Sequence, residues 1–358
     1  MRAIAFYLPQ YHPIPENDRW WGEGFTEWTN VRRARPLFTG HAQPREPGEL
    51  GYYDLLDSDV REKQALMASQ AGLAGFCYWH YWFAGRKLLE RPFAQVLETG
   101  KPDFPFCLGW ANESWSGVWH GEPDRVLMEQ TYPGPDDEAR HFQALESAFH
   151  DDRYLKVDGK PVFYVYKPRQ IPDCRRFVEH WQELAIKSGL NGIHFVGEDV
   201  YVDEDPWDYR ANGFDAVVAN TPGVAFLRLA RKRFWPRYLL PRLLHKALNH
   251  PVRHRYLDFV EHNSVDPGHD DFYPSVLPNW DNTPRAGRRG FVLTGNTPES
   301  FKAQLRDATK QVIHRKYENQ IVFIKSWNEW AEGNYLEPDR EHGTAYLDAC
   351  RAILLQGG

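Results

Sequence analysis

Two glutamates separated by two residues, Glu329 and Glu332, follow a short apolar run near the end of the 358-residue chain. Cleavage of a glycosidic bond needs one group that protonates the departing oxygen and a second carboxylate that helps to form the new bond at the anomeric carbon. Both glutamates lie among aromatic residues in SWNEWAEGNYLEP. Aromatic burial would raise the pKa of one carboxyl and let it act as an acid near neutral pH. We interpret Glu329 and Glu332 as a catalytic pair; the alternative is a salt-bridged rim.

Further candidate residues are polar or aromatic side chains that come directly after strand-like runs. The aromatic content is 15%, with 14 Trp and 18 Tyr, and much of it lies beside polar residues. This pattern suits a polar ligand with apolar faces, such as a carbohydrate, although a large aromatic core explains part of the content. The candidate substrate-binding residues are Tyr7, Gln10, Glu27, Trp28, His80, Tyr81, Trp110, Asn112, Glu113, Trp115, Tyr166, Glu198, Asn220, Trp280, Asp281, Trp327, Asn328 and Tyr335.

Several of these candidates also have a purely structural interpretation. His80 beside a strand could be a hydrogen-bonded scaffold residue. Asn112 and Glu113 could satisfy the backbone amides of their own loop. Asp281 and Arg285 could form an ion pair across a turn, and Glu337 before Pro338 is expected to support its loop rather than to take part in the reaction.

The elements that must position these residues are eight apolar runs of strand length. Helical patterns separate most of the runs, for example from Ser58 or Asp59 as N-cap to Gly72, and from Thr297 as N-cap. Strands that alternate with helices imply a parallel sheet, so the sequence predicts an α/β fold, a (β/α)8 TIM-type barrel. A doubly wound open sheet is the alternative, weakened because no G-x-G-x-x-G follows the first strand. The runs are AIAFYL, LAGFCYW, FPFCLGW, PVFYVY, GIHFVG, FDAVVA, FYPSVL and IVFIK.

Two long insertions interrupt this pattern after strands 1 and 6, within a single predicted domain of residues 1–358. The first, at about 10–57, is expected to form an active-site wall. The second, at about 224–257, is basic and contains no Asp or Glu. A basic amphipathic segment can lie on an anionic membrane surface, so residues 228–255 could make peripheral membrane contact. The alternative is a solvated helical excursion that packs on the barrel or on an acidic partner.

Composition excludes several classes of function. A formal charge of −6 and a pI near 6.2 give no footprint for a nucleic-acid partner. The four cysteines are widely spaced and no His cluster has metal-ligand spacing, so we expect no metal and no cofactor. The short apolar stretch at the N-terminus is not a signal peptide. We therefore expect a cytoplasmic protein, peripheral at the inner membrane if the basic insertion binds there.

Seven segments of the sequence together resemble the WbsX-type family, which is associated with bacterial surface-polysaccharide loci and is often described as glycosyltransferases. The resemblance extends over nearly the whole chain. The family is related to glycoside hydrolase family 99, the endo-α-mannosidases, chiefly through N-E-W-x-E-G and the barrel. The segments are AFYLPQYHPIPENDRWWGEGFTEWTNV, GHAQPREPGELGYYDL, GFCYWHYWF, PFCLGWANESW, DDRYLKVDGKPV, NWDNTPR and SWNEWAEGNYLEP.

The resemblance implies a retaining mechanism through a 1,2-anhydro sugar. In family 99 the first Glu of the motif is thought to take the proton from the sugar's own 2-hydroxyl, whose oxygen then attacks the anomeric carbon. Carried over to this sequence, Glu329 would be the base and Glu332 the acid/base, and Glu113 a substrate-binding residue. Mannose specificity does not follow, because the aromatic segments and the basic insertion differ from family 99.

Three functions remain open at this point. The first is a glycoside hydrolase or transglycosylase acting on a bacterial surface polysaccharide or its precursor. The second is a glycosyltransferase in O-antigen or capsule biosynthesis. The third is a non-catalytic carbohydrate-binding protein, which both glutamates of the motif disfavour. In each case the expected partner is an oligosaccharide or polysaccharide.

Overall fold

Eight parallel strands form the centre of the protein. The computed structural model describes residues 1–117, 122–199, 207–219, 250–263 and 271–355. We number the barrel strands β1 to β8 in chain order, and β7 consists of two short pieces. The strands are Arg2–Tyr7, Gly75–Phe83, Phe106–Trp110, Lys160–Val165, His194–Asp199, Ala216–Ala219, Phe272–Tyr273 with Ser275–Val276, and Ile321–Ile324.

The sheet closes on itself because β1 and β7 both pair with β8. Each of β1 to β6 pairs in parallel with the next strand along the chain. β7 pairs with β6 through its first piece and with β8 through its second, and the two pieces meet at Pro274. Proline has no N–H to donate to a ladder, but the carbonyl of Pro274 still accepts a hydrogen bond from the N–H of Phe323 at 2.9 Å. The predicted barrel and its eight apolar runs are therefore confirmed, and the open sheet is excluded.

Ten α-helices lie among the described residues. The helices that the sequence predicted include α3 (Ser58–Gln70) and α9 (Pro298–Lys310), and Thr297 caps α9 as expected. The N-cap of α3 is Asp57, whose carboxylate accepts from the N–H of Asp59, and not Ser58 or Asp59. The helices α1 to α10 are Pro15–Trp21, Glu27–Arg33, Ser58–Gln70, Arg91–Thr99, Pro135–Phe149, Cys174–Lys187, Tyr256–Asn263, Thr283–Ala286, Pro298–Lys310 and Ala345–Leu354.

Aromatic rings fill the barrel interior. Phe6 of β1 stacks on Trp79 of β2 with ring centroids 4.7 Å apart, and on Phe323 of β8 at 5.4 Å. The edge of Tyr164 of β4 packs against Phe6 at 4.9 Å. Such pairs contribute about 0.5–1.5 kcal/mol each beyond the area that they bury. They form a rigid layer beneath the carboxyl ends of the strands.

The segments outside the barrel strands include short strands and 3-10 turns. Residues 10–57 contain α1 and α2. The basic segment 228–255 lies outside the described residues except for 250–255, and Asn220 lies outside them entirely. None of the described helices is long and apolar enough to cross a membrane. The short strands are Arg86–Leu88, Trp115–Gly117, Glu122–Met128, Lys156–Val157, Val252–Arg255, Phe291–Thr294, Asn328–Glu329 and Asn334–Tyr335.

Candidate active site

A cavity of about 560 Å³ opens at the carboxyl ends of the barrel strands. Its wall draws on residues at or just after β1, β2, β3, β4 and β8, together with the insertion after β1. Active sites of (β/α)8 barrels are built at this end. Glu329 and Glu332 both line the cavity, and both are almost completely buried.

A tight hairpin after β8 presents the two glutamates. Asn328 and Glu329 pair with Asn334 and Tyr335 in antiparallel register, and a 3-10 turn, Trp330–Glu332, lies between them. Gly333 ends that turn in the left-handed conformation, with φ +60°, which favours glycine. The hairpin is also fixed to the start of the chain, because the N–H of Trp327 donates to the carbonyl oxygen of Phe6 at 2.7 Å.

The indole of Trp79 forms part of the cavity wall and binds the first glutamate. Its Nε1–H donates to Glu329 Oε1 at 3.1 Å. On the neighbouring strand the residue in register with Trp79 is Gly109, and a Cβ atom there would lie 3.3 Å from the indole ring. Gly109 thus leaves room for the indole. The sequence-based list of candidates did not include Trp79.

The pKa values of the two glutamates shift in opposite directions. Burial and the adjacent negative charge of Glu329 raise the pKa of Glu332 well above its ordinary value, and they outweigh the opposing effect of the Arg285 guanidinium. Burial also acts to raise the pKa of Glu329. A hydrogen bond from Glu332 and the positive charges of Arg285 and Lys325 outweigh that effect, so the pKa of Glu329 is lowered. Of the two carboxyls, Glu332 is therefore the one with the higher affinity for a proton.

Lys325 and Arg285 supply positive charge to the site. Lys325 Nζ lies 2.9 Å from Glu198 Oε1, and Tyr164 donates to the other oxygen of Glu198 at 2.5 Å. Four carboxyl groups in this part of the described structure, including both glutamates of the pair, face these two cations. An excess of carboxyl groups over cations in a buried site also favours a proton on one of the carboxyls.

Seven of the candidate binding residues line the cavity, and four of them are aromatic. Residues that the sequence did not single out also line it, among them Trp21, Phe25, Trp79 and Lys325. Trp21 and Phe25 come from α1 and the loop after it, within the insertion after β1. The candidates on the wall are Gln10, Glu27, Tyr81, Glu113, Trp115, Tyr166 and Trp280.

Three strand candidates, which the sequence predicts to bind substrate, point away from the cavity. The hydroxyl of Tyr7 donates to Gln64 of α3 at 2.6 Å. His80 Nε2 lies 2.9 Å from Nε2 of His141 on α5, and burial lowers the pKa of His80 to about 3. Trp110 packs against the same His141 at 4.8 Å. All three fill the layer between barrel and helices, because successive residues of a strand face opposite sides.

The side-chain amides of two further candidates are used within the structure. Asn112 accepts from the N–H of Lys167 at 2.7 Å and donates to its carbonyl at 2.8 Å. Asn328 makes the equivalent pair of bonds with Leu8, at 2.7 and 3.0 Å. Each amide replaces a missing backbone partner, so neither is available to a sugar hydroxyl.

Three aromatic candidates support the hairpin from behind and do not reach the cavity. Trp28 donates to the carbonyl of Tyr53 at 2.8 Å and packs on Trp330 at 5.5 Å. Tyr335 stacks on Trp330 with ring centroids 3.8 Å apart. Trp327 is fully buried. Glu198 does not line the cavity either, since its carboxylate is bound to Lys325 and Tyr164 as described above.

Asp281 also stays behind the cavity wall, and it does not pair with Arg285 as one interpretation expected. Its Oδ2 accepts from Gln43 at 2.7 Å and lies 2.8 Å from His41 Nε2, while its Oδ1 accepts from the hydroxyl of Thr283 at 2.6 Å. Its N–H donates to the carbonyl of Glu332 at 2.6 Å. Asp281 therefore fixes the backbone of Glu332.

Glu337 supports the hairpin. Its carboxyl accepts from Trp330 Nε1 at 2.6 Å, from the Tyr53 hydroxyl at 2.8 Å and from Gln64 Nε2 at 2.6 Å. Burial raises its pKa to about 7 even though these hydrogen bonds act to lower it. Glu337 is not on the cavity wall.

The described residues contain no group of His, Cys, Asp and Glu that could hold a metal ion.

The described residues form a (β/α)8-barrel protein with two adjacent carboxyls in an aromatic-walled cavity at the carboxyl ends of the strands. Comparison with family models then gives its family: residues 3–350 match the model described as Glycosyltransferase WbsX, and the chain belongs to that family. The chain is 38% identical over 353 residues to the uncharacterized protein WxcX of Xanthomonas campestris pv. campestris strain B100. That match covers 98% of this chain and 49% of WxcX, so the chain spans about half the length of this relative.

Solved structures with a similar fold include endo-α-mannosidases. A GH99 endo-α-mannosidase from Bacteroides thetaiotaomicron superposes with a TM-score of 0.57 and 16% identity, covering 99% of this chain and 97% of that one. A structure described as a glycoside hydrolase-like protein gives a TM-score of 0.61 at 14% identity, covering 99% of this chain and 93% of that one. These similarities establish the barrel fold.

Proposed function

We propose that this chain is a retaining, family 99-like enzyme that cleaves or transglycosylates a glycosidic bond in a bacterial surface polysaccharide or its precursor. The observation that carries the proposal is the pair Glu329 and Glu332, which contact one another in a cavity large enough for sugar rings and have pKa values shifted in opposite directions. The fold shared with endo-α-mannosidases and the family membership support it.

In the proposed reaction the protonated Glu332 gives its proton to the departing oxygen. The ionised Glu329 takes the proton of the sugar's 2-hydroxyl, and that oxygen attacks the anomeric carbon as the glycosidic bond breaks. The product of this step is a 1,2-anhydro sugar. Water or an acceptor hydroxyl then opens the three-membered ring at the anomeric carbon and loses its proton to Glu332, while Glu329 returns its proton to the 2-oxygen. Two inversions give net retention, and both carboxyls end in their starting states.

Mass spectrometry of products from a panel of surface glycans and α-mannosides tests the proposal. Glu329→Gln and Glu332→Gln should each reduce kcat by about 10²–10⁴, the usual contribution of a general acid or base. Glu179→Gln is the matched control, since Glu179 is an exposed residue of α6. Retention of configuration in the first-formed product, followed by proton NMR, is the second expected result.

The leaving group separates the two roles. An aryl glycoside whose phenolate leaves without protonation should largely restore bond cleavage in Glu332→Gln, because that variant lacks only the acid. It should not restore cleavage in Glu329→Gln. Equal rescue of both variants would contradict the assigned roles.

The family description favours one alternative, a glycosyltransferase. Reactions with and without nucleotide sugars distinguish the two activities: a mass gain only with a nucleotide sugar would identify a transferase and overturn the roles given to the two glutamates.

Membrane contact through 228–255 stays a prediction. Removing the arginines of that segment should abolish binding to anionic vesicles, and unchanged binding would contradict the prediction.

A further inference from the structure

Arg285 contacts two carboxyl groups at once at the edge of the cavity. Its Nε donates to Glu27 Oε2 at 3.0 Å, and its Nη1 donates to Glu332 Oε1 at 2.5 Å. The three side chains come from α8, α2 and the hairpin after β8, and they are only 12%, 5% and 10% exposed. A guanidinium is a planar fork of donors, which allows it to hold two carboxylates in fixed directions.

The backbone around Arg285 is itself tied to the hairpin. Asp281, four residues earlier, donates its N–H to the carbonyl of Glu332, and the hydroxyl of Thr283 binds the Asp281 carboxylate. Hydrogen bonds thus join the backbone segment that carries Arg285 to the backbone of Glu332. The position of Arg285 relative to Glu332 is therefore set by the fold and does not depend on a flexible surface side chain.

We propose that Glu27 and Arg285 are positioning residues for the reaction: Arg285 holds the Glu332 carboxyl in place, and Glu27 offsets the guanidinium charge so that Glu332 keeps the proton it must donate. This inference rests on the proposed function. It assigns to Glu27 a role that differs from direct substrate binding.

The physical argument is a balance of charges in a buried site. A full positive charge in direct contact with Glu332 would favour its carboxylate form and remove the acid. Burial acts to lower the pKa of Arg285, but Glu27 and the other carboxyl groups around it outweigh that effect and raise the pKa, so the guanidinium stays charged. The carboxylate of Glu27 partly neutralises the guanidinium charge and so weakens its effect on Glu332. The titratable and charged groups that the described structure places around the glutamate pair include Arg285, Glu27, Lys325, Glu198, Tyr81, Tyr166 and Glu113.

Carbon-13 NMR titration of the intact chain, labelled at its glutamate carboxyl carbons, tests the inference without requiring turnover. Loss of a resonance in Glu329→Gln or Glu332→Gln assigns the two signals. Glu27→Gln should lower the pKa of Glu332 by about one unit, because Arg285 then acts on it undivided. Arg285→Gln should raise it by about 1–3 units, because the opposing charge is gone. Arg289→Gln, the same change at an exposed position, should leave it unchanged.

Two further variants separate charge from geometry. Arg285→Lys keeps the charge, but one ammonium cannot reach both carboxylates, so kcat should fall at least tenfold with KM and the Glu332 pKa nearly unchanged. The double variant Glu27→Gln with Arg285→Gln removes the buried charges together, which preserves folding if Arg285→Gln alone is unstable. Its Glu332 pKa should lie between those of the two single variants.

Shifts of the same sign in Glu27→Gln and Arg285→Gln, or no shift in either, would overturn the inference. Full kcat in Arg285→Lys would overturn the positioning role of the guanidinium. Opposite shifts in a protein that cleaves none of the glycans would leave the charge balance standing and reject the proposed reaction. Cleavage of a glycan with no shift in any variant would reject the inference alone.

Discussion

Gly333→Ala should damage the active site without touching either carboxyl. Gly333 follows Glu332 directly and has φ +60°, where an alanine costs roughly 1–2 kcal/mol. A Cβ atom at this position would lie 2.9 Å from Asp281 Cβ and 3.0 Å from its backbone nitrogen. Forcing an extra methyl group into such a packed position costs about 1–3 kcal/mol more. We therefore expect a total loss of roughly 2–5 kcal/mol in the free energy of unfolding.

The activity should fall more steeply than the stability. In the variant, Asp281 and residue 333 cannot both keep their positions. Asp281 begins the segment that leads to Arg285, and its N–H donates to the carbonyl of Glu332, so both groups would move with it. A displacement of about 1 Å at a catalytic group can reduce the rate by about 10². Gly295→Ala is the matched control, since Gly295 has φ +74° and no described atom lies within 4 Å of its added Cβ. It should lose only the backbone contribution and keep its kcat.

Urea denaturation and kcat/KM of the two variants, measured side by side, provide the assay. The temperature is chosen so that both variants are fully folded, which removes unfolding as a cause of lost activity. Equal kcat/KM in the two alanine variants would refute the argument that the contact between Gly333 and Asp281 fixes the geometry of the glutamate pair.

Three further predictions concern buried polar groups. Trp79→Phe removes the donor to Glu329, so the acidic limb of the pH profile of kcat/KM should move up by about one pH unit, and an unmoved limb would contradict this. Glu337→Gln should flatten the pH dependence of the free energy of unfolding. The pKa of Glu337 in the folded protein is about 7, above its ordinary 4.5, so this carboxyl contributes its full stabilisation below pH 4.5 and loses it as the pH rises through 7. The loss, which denaturation at several pH values would measure, is about 3 kcal/mol. Lys325→Met leaves Glu198 buried and unpaired and should destabilise the fold by about 3–5 kcal/mol in thermal denaturation, whereas adding Glu198→Gln should restore much of that loss.

The barrel could be predicted from the sequence because its strands are apolar on both faces. A run such as AIAFYL has no polar side, and eight such runs separated by helical patterns leave few other folds. Pro274 did not hide the seventh strand, since the apolar residues continue on both sides of it. Helix α5 was not predicted, although Pro135 and the acidic residues after it are typical of a helix start.

The site was predicted less completely, and the reason is the alternation of side chains along strands. In YWHYWF, the last six residues of β2, every position is aromatic or histidine, so the pattern does not show which residues face inward. Trp79 and Tyr81 line the cavity, whereas His80 between them faces α5. The sequence does not reveal Arg285 as a partner of the glutamates, because both of its contacts are distant in sequence and only the folded chain brings Glu27 and Glu332 to it.

The pairing of the first strand with the last determines when the catalytic hairpin can form during synthesis. Asn328 bonds to Leu8 across 320 residues, and β8 pairs with β1. At the usual rate of translation the intervening chain takes roughly 15–60 s to make. Throughout that time β1 has one edge without its native neighbour, and an unpaired edge is a site of misassociation. The glutamate pair is therefore among the last parts of the barrel to be completed, and a ribosome-bound chain that stops before β8 has neither a closed barrel nor a competent active site.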